Sequence, residues 1–312
     1  MKQNFISINL KLVGSLCNLN CKYCYEHEQY GNRNTGFISV DDIINYINFL
    51  RNQYKYIKII LHGGEPLLYP KDKMNRLLQY YKNESNIHIA IQTNGLLIDQ
   101  EWIDIFKNYS NDFLFSISLD SKDSLLRDFK TDKLSQKFKL IKDNNLKIGI
   151  VSVISKENID TTKYKKFIHM LINKFQINFL TINKIRFNNQ IKDSFINELE
   201  YTNFLIDIFN YWIEKKLYNQ LKINPFLDLM QNKNSCIFNS NLQKCNSFIT
   251  IYPPFNIKGC DHQKGQTNNL SKCLGCHIFD FCGGGCIYEI QDETFCDARF
   301  KLFNYIQSLK NE

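Results

Sequence analysis

The chain has 312 residues, 44% of them hydrophobic and 22% charged, with a net charge of +8. That is room for one large domain or two modest ones around a real core, and it excludes a disordered tail protein, a collagen and a coiled coil. No apolar run approaches the ~18 residues that span a bilayer, and Met1–Leu16 lacks a signal-peptide core, so a cytoplasmic protein with no membrane partner is expected. The charge is mild and comes with no zinc-finger spacing and no basic run interleaved with aromatics, so no nucleic-acid partner is expected either.

From Ser7 to about Lys184, short apolar runs alternate with longer amphipathic stretches. Strands are expected near Ile8–Val13, Ile57–His62, Ile87–Gln92, Phe113–Leu119, Lys147–Ile154 and Phe179–Lys184. Helices are expected over Val40–Tyr54, Asp72–Asn83, Asp99–Asn108, Leu134–Asn144 and Thr161–Lys174, with a further one over Ser194–Lys216. This alternation implies βαβ units and a parallel sheet, hence an α/β fold. Six such repeats are too few for a full eight-fold barrel. A partial (β/α)6 TIM-type barrel fits, and so does an open doubly wound sheet. After about Leu221 the helical period fades, and Pro253-Pro254, Gly259 and Gly283-Gly284-Gly285 appear. A boundary is expected there, with a first domain over 1–220 and a small irregular one over 221–312. A short helix near Phe300–Leu309 closes the chain.

The cysteines are uneven. Of eleven, three lie at Cys17, Cys21 and Cys24, and eight crowd into 236–296. A reducing compartment and an odd count argue against disulfides, and inert buried thiols would scatter, so the clusters point to metal. Soft thiolates select zinc or an iron–sulfur cluster. A structural zinc at the first set would need a fourth ligand, for which His27 is the nearest candidate. A [4Fe–4S] cluster held by three cysteines leaves one iron open.

The C-x3-C-x2-C spacing, with Tyr23 before the last cysteine, resembles the radical S-adenosylmethionine (SAM) superfamily. His62-Gly63-Gly64-Glu65-Pro66 resembles that family's SAM-binding motif. Thr93-Asn94-Gly95, Ser116–Asp120 and Ile154–Asn158 resemble the ends of its third, fourth and fifth strands. The resemblance implies a [4Fe–4S] cluster at Cys17, Cys21 and Cys24 that binds SAM and reductively cleaves it. The product is a 5′-deoxyadenosyl radical that abstracts hydrogen from substrate. It also implies a flavodoxin- or ferredoxin-type reductant. Gly63 and Gly64 would let the backbone approach the methionine moiety, and Glu65 suits the ammonium group. Alternation on the fourth strand puts Ser116, Ser118 and Asp120 on one face, opposite Phe115, Ile117 and Leu119. Ser118 and Asp120 are candidate SAM contacts, with Gln92 from the third strand. Arg127 and Lys130 are read as solvated charges, or as partners of the SAM carboxylate.

Cys273-x2-Cys276-x5-Cys282-x3-Cys286, followed by Cys296, resembles the SPASM extension of this superfamily. Carried over by position, Cys236, Cys245, Cys260 and Cys286 would hold one auxiliary [4Fe–4S] cluster. Cys273, Cys276, Cys282 and Cys296 would hold a second. Two zinc ions in the same eight thiolates are the alternative. The family's turn glycine is replaced by Phe255, which leaves Pro254 and Asn256 to turn the hairpin. Asp261 occupies the place of a catalytic base in sulfatase-maturing members, with His262 beside it. The resemblance implies a maturase of a ribosomally made peptide, installing a cross-link or an epimerised centre. The alternative is an anaerobic sulfatase-maturating enzyme that makes formylglycine. With sixteen residues before Cys17, a leader peptide is expected to bind the barrel, the cysteine-rich region or a separate leader-binding protein.

Overall fold

The structure, a computed structural model, describes residues 3–26, 36–121, 124–128, 131–186, 189–231, 248–260, 270–286 and 291–310. In chain order the elements begin with β1 (Gln3–Lys11), α1 (Val40–Arg51), β2 (Tyr54–His62), α2 (Lys71–Tyr81), β3 (Ile87–Thr93) and α3 (Gln100–Tyr109). Next come β4 (Leu114–Ser118), α4 (Ser135–Asp143), β5 (Lys147–Ile154), α5 (Thr161–Asn173), β6 (Phe179–Lys184), α6 (Glu198–Glu214), β7 (Lys222–Asn224) and α7 (Phe226–Met230). The last are β8 (Phe248–Tyr252), β9 (Asn256–Lys258), α8 (Phe279–Cys282) and α9 (Phe295–Lys310). Two compact units divide them. The first is Met1–Leu119, Asp128–Ile150 and Asn246–Asp261; the second is Asp120–Arg127, Val151–Cys245 and His262–Glu312.

In the first unit, β1 pairs with β2, β2 with β3 and β3 with β4, all parallel. Each strand adds beside the one before it, with no reversal of order. That is the succession of a β/α barrel; a doubly wound sheet switches direction. The strands are mixed α/β core: Ile8, Ile59 and Ile89 are buried, and so are the polar residues on the other face of β1, Ser7, Asn9 and Lys11. Helix α1 forms because Val40, Ile43, Ile44 and Ile47 recur at the helical period and bury one stripe. Asp99 starts α3 by accepting from Trp102 N at 2.9 Å.

One pairing had no signal in the sequence. β8 lies parallel to β1 with Ser7 opposite Phe248 and Leu10 opposite Ile251, and β9 returns antiparallel beside it. The hairpin forms without the family's glycine. Its loop is Pro253–Phe255, and Asn256 Nδ2 donates to Pro253 O at 3.3 Å.

In the second unit, β6 pairs with β7 in parallel, with Phe179 opposite Lys222. Helix α6 opens on a capping box between Asn197 and Glu200. Its next free amides are taken by the segment before α9: Glu198 N donates to Asp292 and Leu199 N to Thr294, at 3.0 and 3.2 Å. Farther along, Tyr305 Oη donates to Asn210 Oδ1 at 2.6 Å and packs edge-on against Phe209. Among the described residues, the cysteine-rich segment has a small core of its own, Ile278, Cys282 and Phe295, with Cys276, Phe281, Phe300 and Phe303 against it. Its chain turns through Gly283, Gly284 and Gly285, all at positive φ, and a Cβ on Gly285 would lie 2.3 Å from Phe295 Cζ. Among the described residues, no helix is long and apolar enough to cross a membrane.

Candidate functional site

The loop after β1 carries Cys17, Cys21 and Cys24, all half-buried, with Tyr23 half-buried between them. The chain leaves β1 through two tight turns, Gly14 N to Lys11 O and Leu16 N to Val13 O. Leu19 N donates to Cys17 Sγ at 3.4 Å, Cys24 N closes a turn on Cys21 O, and Asn20 N donates to Asp128 Oδ2 at 3.0 Å. Burial pushes the Cys17 thiol up to about 11, against the Leu19 hydrogen bond, and Glu65, Cys24 and Cys21 add to it. A thiol so placed becomes a thiolate only against strong positive charge. Among the described residues, no three Cys, His, Asp or Glu side chains are set to grip one ion. Three soft thiols on one loop suit an iron–sulfur cluster by the chemistry of their donor atoms. His27 lies outside the described residues.

The Gly63-Gly64-Glu65 turn braces this loop. Both glycines have positive φ. A Cβ on Gly63 would fall 2.1 Å from Lys11 Cδ, and one on Gly64 would fall 1.9 Å from the Leu16 carbonyl oxygen. The glycines therefore admit the chain's own backbone, and Glu65 N donates to Leu16 O at 2.8 Å.

Glu65 is a hub. Its Oε1 accepts from Leu67 N at 3.0 Å and Thr93 Oγ1 at 2.6 Å, and its Oε2 accepts from Asn94 N at 2.8 Å. Asn94 Nδ2 continues to Asn18 Oδ1 at 2.7 Å, beside Cys17. The ends of β2 and β3 are thus tied to the cysteine loop through one carboxylate. Burial raises that carboxyl from 4.5 to about 7, against the hydrogen bonds from Thr93, Asn94 and Leu67. Between those values the folded chain holds a proton that the unfolded chain releases. The contribution is full below pH 4.5 and is lost as pH rises through 7. Wild type should lose about 2.5 kcal/mol more stability than Glu65→Gln between pH 5 and pH 8. Thermal melts of the two at each pH check this; equal losses would refute it.

Gln92 and Ser116 are register partners on neighbouring strands, and both are half-buried, as is Ser118. The alternation expected for β3 and β4 is present, with Ile91, Phe115 and Ile117 buried on the opposite face. In the second unit, both oxygens of the buried Asp120 are engaged by protein. Oδ2 accepts from Arg127 Nε at 3.0 Å and Oδ1 from Val153 N at 2.7 Å. Arg127 is not the solvated charge expected; its side chain is 8% exposed in this ion pair. Lys130 lies outside the described residues.

Sequence reasoning missed a buried cluster at the foot of the loop. Lys11 is fully buried and donates to Glu26 Oε1 at 2.5 Å, Tyr25 Oη at 2.7 Å and His62 Nδ1 at 3.0 Å. Gly63 N donates to the same His62 nitrogen at 2.7 Å, so Nδ1 is an acceptor and the ring proton sits on Nε2. The available signal was a lysine ending a strand whose neighbours are apolar, since such a charge needs a partner.

The second unit gathers Cys273, Cys276, Cys282 and Cys296. Burial raises Cys273 and Cys282; Cys296 and Cys276 add to the first, and Cys273 and Cys296 to the second. Cys286 is buried in the same unit, and Cys260 is buried in the first unit just after β9. Cys236, Cys245, Asp261 and His262 lie outside the described residues.

Residues 12–187 match the radical SAM superfamily. The chain belongs to that superfamily. It is a radical SAM enzyme, and the family brings with it a [4Fe–4S] cluster and SAM. A cysteine-type anaerobic sulfatase-maturating enzyme of Clostridium novyi is 22% identical over 360 aligned positions, covering 96% of this chain and 94% of that one. The solved structure of native anSMEcpe with bound AdoMet and Cp18Cys peptide superimposes with a TM-score of 0.78 at 20% identity, covering 98% of each chain. Streptococcus suis SuiB bound to precursor peptide SuiA gives a TM-score of 0.66 at 17% identity, covering 94% of this chain and 76% of that one. At these identities the likeness establishes the fold.

Proposed function

We propose that this enzyme is a cytoplasmic maturase of a ribosomally made peptide, forming a cross-link or an epimerised centre. The observation that carries the reading is the thiol loop after β1, braced by Gly64 and by the Glu65 hub, in a chain whose fold also serves peptide-bound relatives. When bound, the cluster and SAM would supply a 5′-deoxyadenosyl radical, and the protein supplies position and a dry site. Cys17, Cys21 and Cys24 hold the cluster. Tyr23, Gly63, Gly64, Gln92, Ser118 and Asp120 are the residues that would bind SAM, and Glu65 would fix the turn that receives its amino group. Residues 1–220 form the catalytic domain, and 221–312 form a SPASM domain. There Cys236, Cys245, Cys260 and Cys286 hold one auxiliary cluster, and Cys273, Cys276, Cys282 and Cys296 hold a second. A flavodoxin- or ferredoxin-type protein would supply electrons, and a leader would bind the barrel, the cysteine-rich region or a separate protein.

The second reading is formylglycine formation on a sulfatase. Asp261 directly after Cys260 favours it, as does the relative from Clostridium novyi. The two separate in one experiment: co-expression with a short peptide encoded beside the gene and, in parallel, with a sulfatase fragment, read by mass spectrometry. Loss of a hydrogen pair from the peptide, or a D-residue at unchanged mass, supports the first reading. A cysteine turned into an aldehyde in the sulfatase fragment supports the second and sinks the first.

A further inference from the structure

Lys11 is the last residue of β1, and its register partner His62 is the last residue of β2. The cysteine loop leaves from the first of these strands and the Gly63-Gly64 turn from the second. Lys11 therefore stands at the fork between the two segments proposed to hold the cluster and SAM. Its side chain is wholly buried. The stem runs over Gly63, where a Cβ would fall 2.1 Å from Lys11 Cδ.

An ammonium has three protons to give, and acceptors stand on both sides of the fork. On the loop side are Tyr25 Oη at 2.7 Å and Glu26 Oε1 at 2.5 Å, on the two residues directly after Cys24. On the turn side is His62 Nδ1 at 3.0 Å, which also accepts from Gly63 N at 2.7 Å. One ring nitrogen thus links Lys11 to the first amide of the turn. The start of the loop is held separately, by Glu65 N on Leu16 O. A buried ion pair is a costly way to fill space, since apolar side chains of the same volume often serve stability as well or better. What the ammonium adds is direction, with charge-assisted bonds to both segments at once.

We propose that Lys11 is a positioning residue for SAM, fixing the Gly63 amide through His62 Nδ1 and holding the end of the cysteine loop through Tyr25 and Glu26, so that the loop side and the turn side of the SAM site stay in register. The inference rests on the proposed cluster at Cys17, Cys21 and Cys24. Lys11 takes no part in the chemistry; it sets how tightly SAM is held.

The test is a SAM titration of the full reconstituted chain, reduced with dithionite and followed by electron paramagnetic resonance, after iron is counted. The change of signal with SAM gives an affinity that does not depend on turnover, and release of 5′-deoxyadenosine is measured beside it at varied SAM. Lys11→Met keeps the apolar stem and removes the donors. Its titration midpoint and its KM for SAM should both rise about tenfold, with the rate at saturating SAM close to that of wild type. His62 separates the acceptor from the ring that carries it. His62→Asn keeps an acceptor in the place of Nδ1 and should bind SAM nearly as wild type does. His62→Leu keeps apolar bulk, loses the acceptor and should bind about tenfold more weakly. A role in packing alone gives the reverse order. Full iron with an unmoved midpoint in Lys11→Met overturns the proposal. If Lys11→Met, which strands the Glu26 carboxylate, loses iron, the His62 variants decide: weaker binding in His62→Leu than in His62→Asn supports the proposal, and equal binding or the reverse order overturns it. A wild type whose signal ignores SAM refutes the cluster assignment and the proposal with it. A wild type that responds, with variants that respond alike, leaves that assignment standing and refutes the proposal alone.

Discussion

Replacing Cys17, Cys21 and Cys24 together by Ala will remove about four of about twelve iron atoms per reconstituted chain and abolish release of 5′-deoxyadenosine from SAM. The three thiols share one loop and act on one another electrostatically, so they serve one site. The Cys273 to Cys296 group lies in the other compact unit and depends on different supports. Its iron should survive the triple change. Iron and sulfide analysis of wild type and variant reads the loss directly. A wild type with about four iron refutes the two auxiliary clusters, and a triple variant that still cleaves SAM refutes the first assignment.

The second large effect is expected from a single methyl group. In Gly64→Ala the new Cβ would sit 1.9 Å from the Leu16 carbonyl oxygen, with the Leu16 C and N also within 2.8 Å, at a backbone φ of +50°. The obstacle is main chain, so no rotamer change relieves it. Either the turn or the start of the cysteine loop must move, and the Glu65 N to Leu16 O hydrogen bond goes with it. A cost of about 3 kcal/mol or more is expected, with selective loss of the iron bound at the first loop. Gly275→Ala is the comparison: φ is also positive, but nothing lies within 4 Å of the added carbon. Its cost should be about 1 kcal/mol, the strain of the left-handed backbone alone. Thermal melts and iron counts of both variants check this; equal effects would show that the contact with Leu16 does not matter.

Local pattern carried most of what was legible in the sequence. The period of α1, the alternation of β3 and β4, and the cysteine spacings are all short-range, and each element was found within a few residues of its observed bounds. Pairings between distant residues were not legible. Arg127 reads as an ordinary surface charge until Asp120 and Val153 are folded against it. Glu65 reads as a ligand for an ammonium group, and only the fold shows its oxygens given to Leu67, Thr93 and Asn94. Lys11 and Glu26 meet across the cysteine loop, and Arg299 meets Glu198 from a hundred residues farther along the chain. Charged residues of these types occur on any surface, so composition alone does not separate a buried pair from a solvated one.

The place of β8 has a consequence for how the protein is made. β1 leaves the ribosome well before β8, and one of its two edges waits for a partner from the cysteine-rich part of the chain. Until Phe248–Tyr252 is synthesised, the amides and carbonyls of Ser7–Leu10 on that edge are unpaired, on a strand whose residues from Ile6 to Lys11 are buried in the folded chain. Such an edge is a template for self-association, and closing it early is impossible for a contact so distant in sequence. Chains shortened before β8 should therefore aggregate instead of yielding a free-standing catalytic half, and soluble yield should depend on whatever shields β1 while translation finishes.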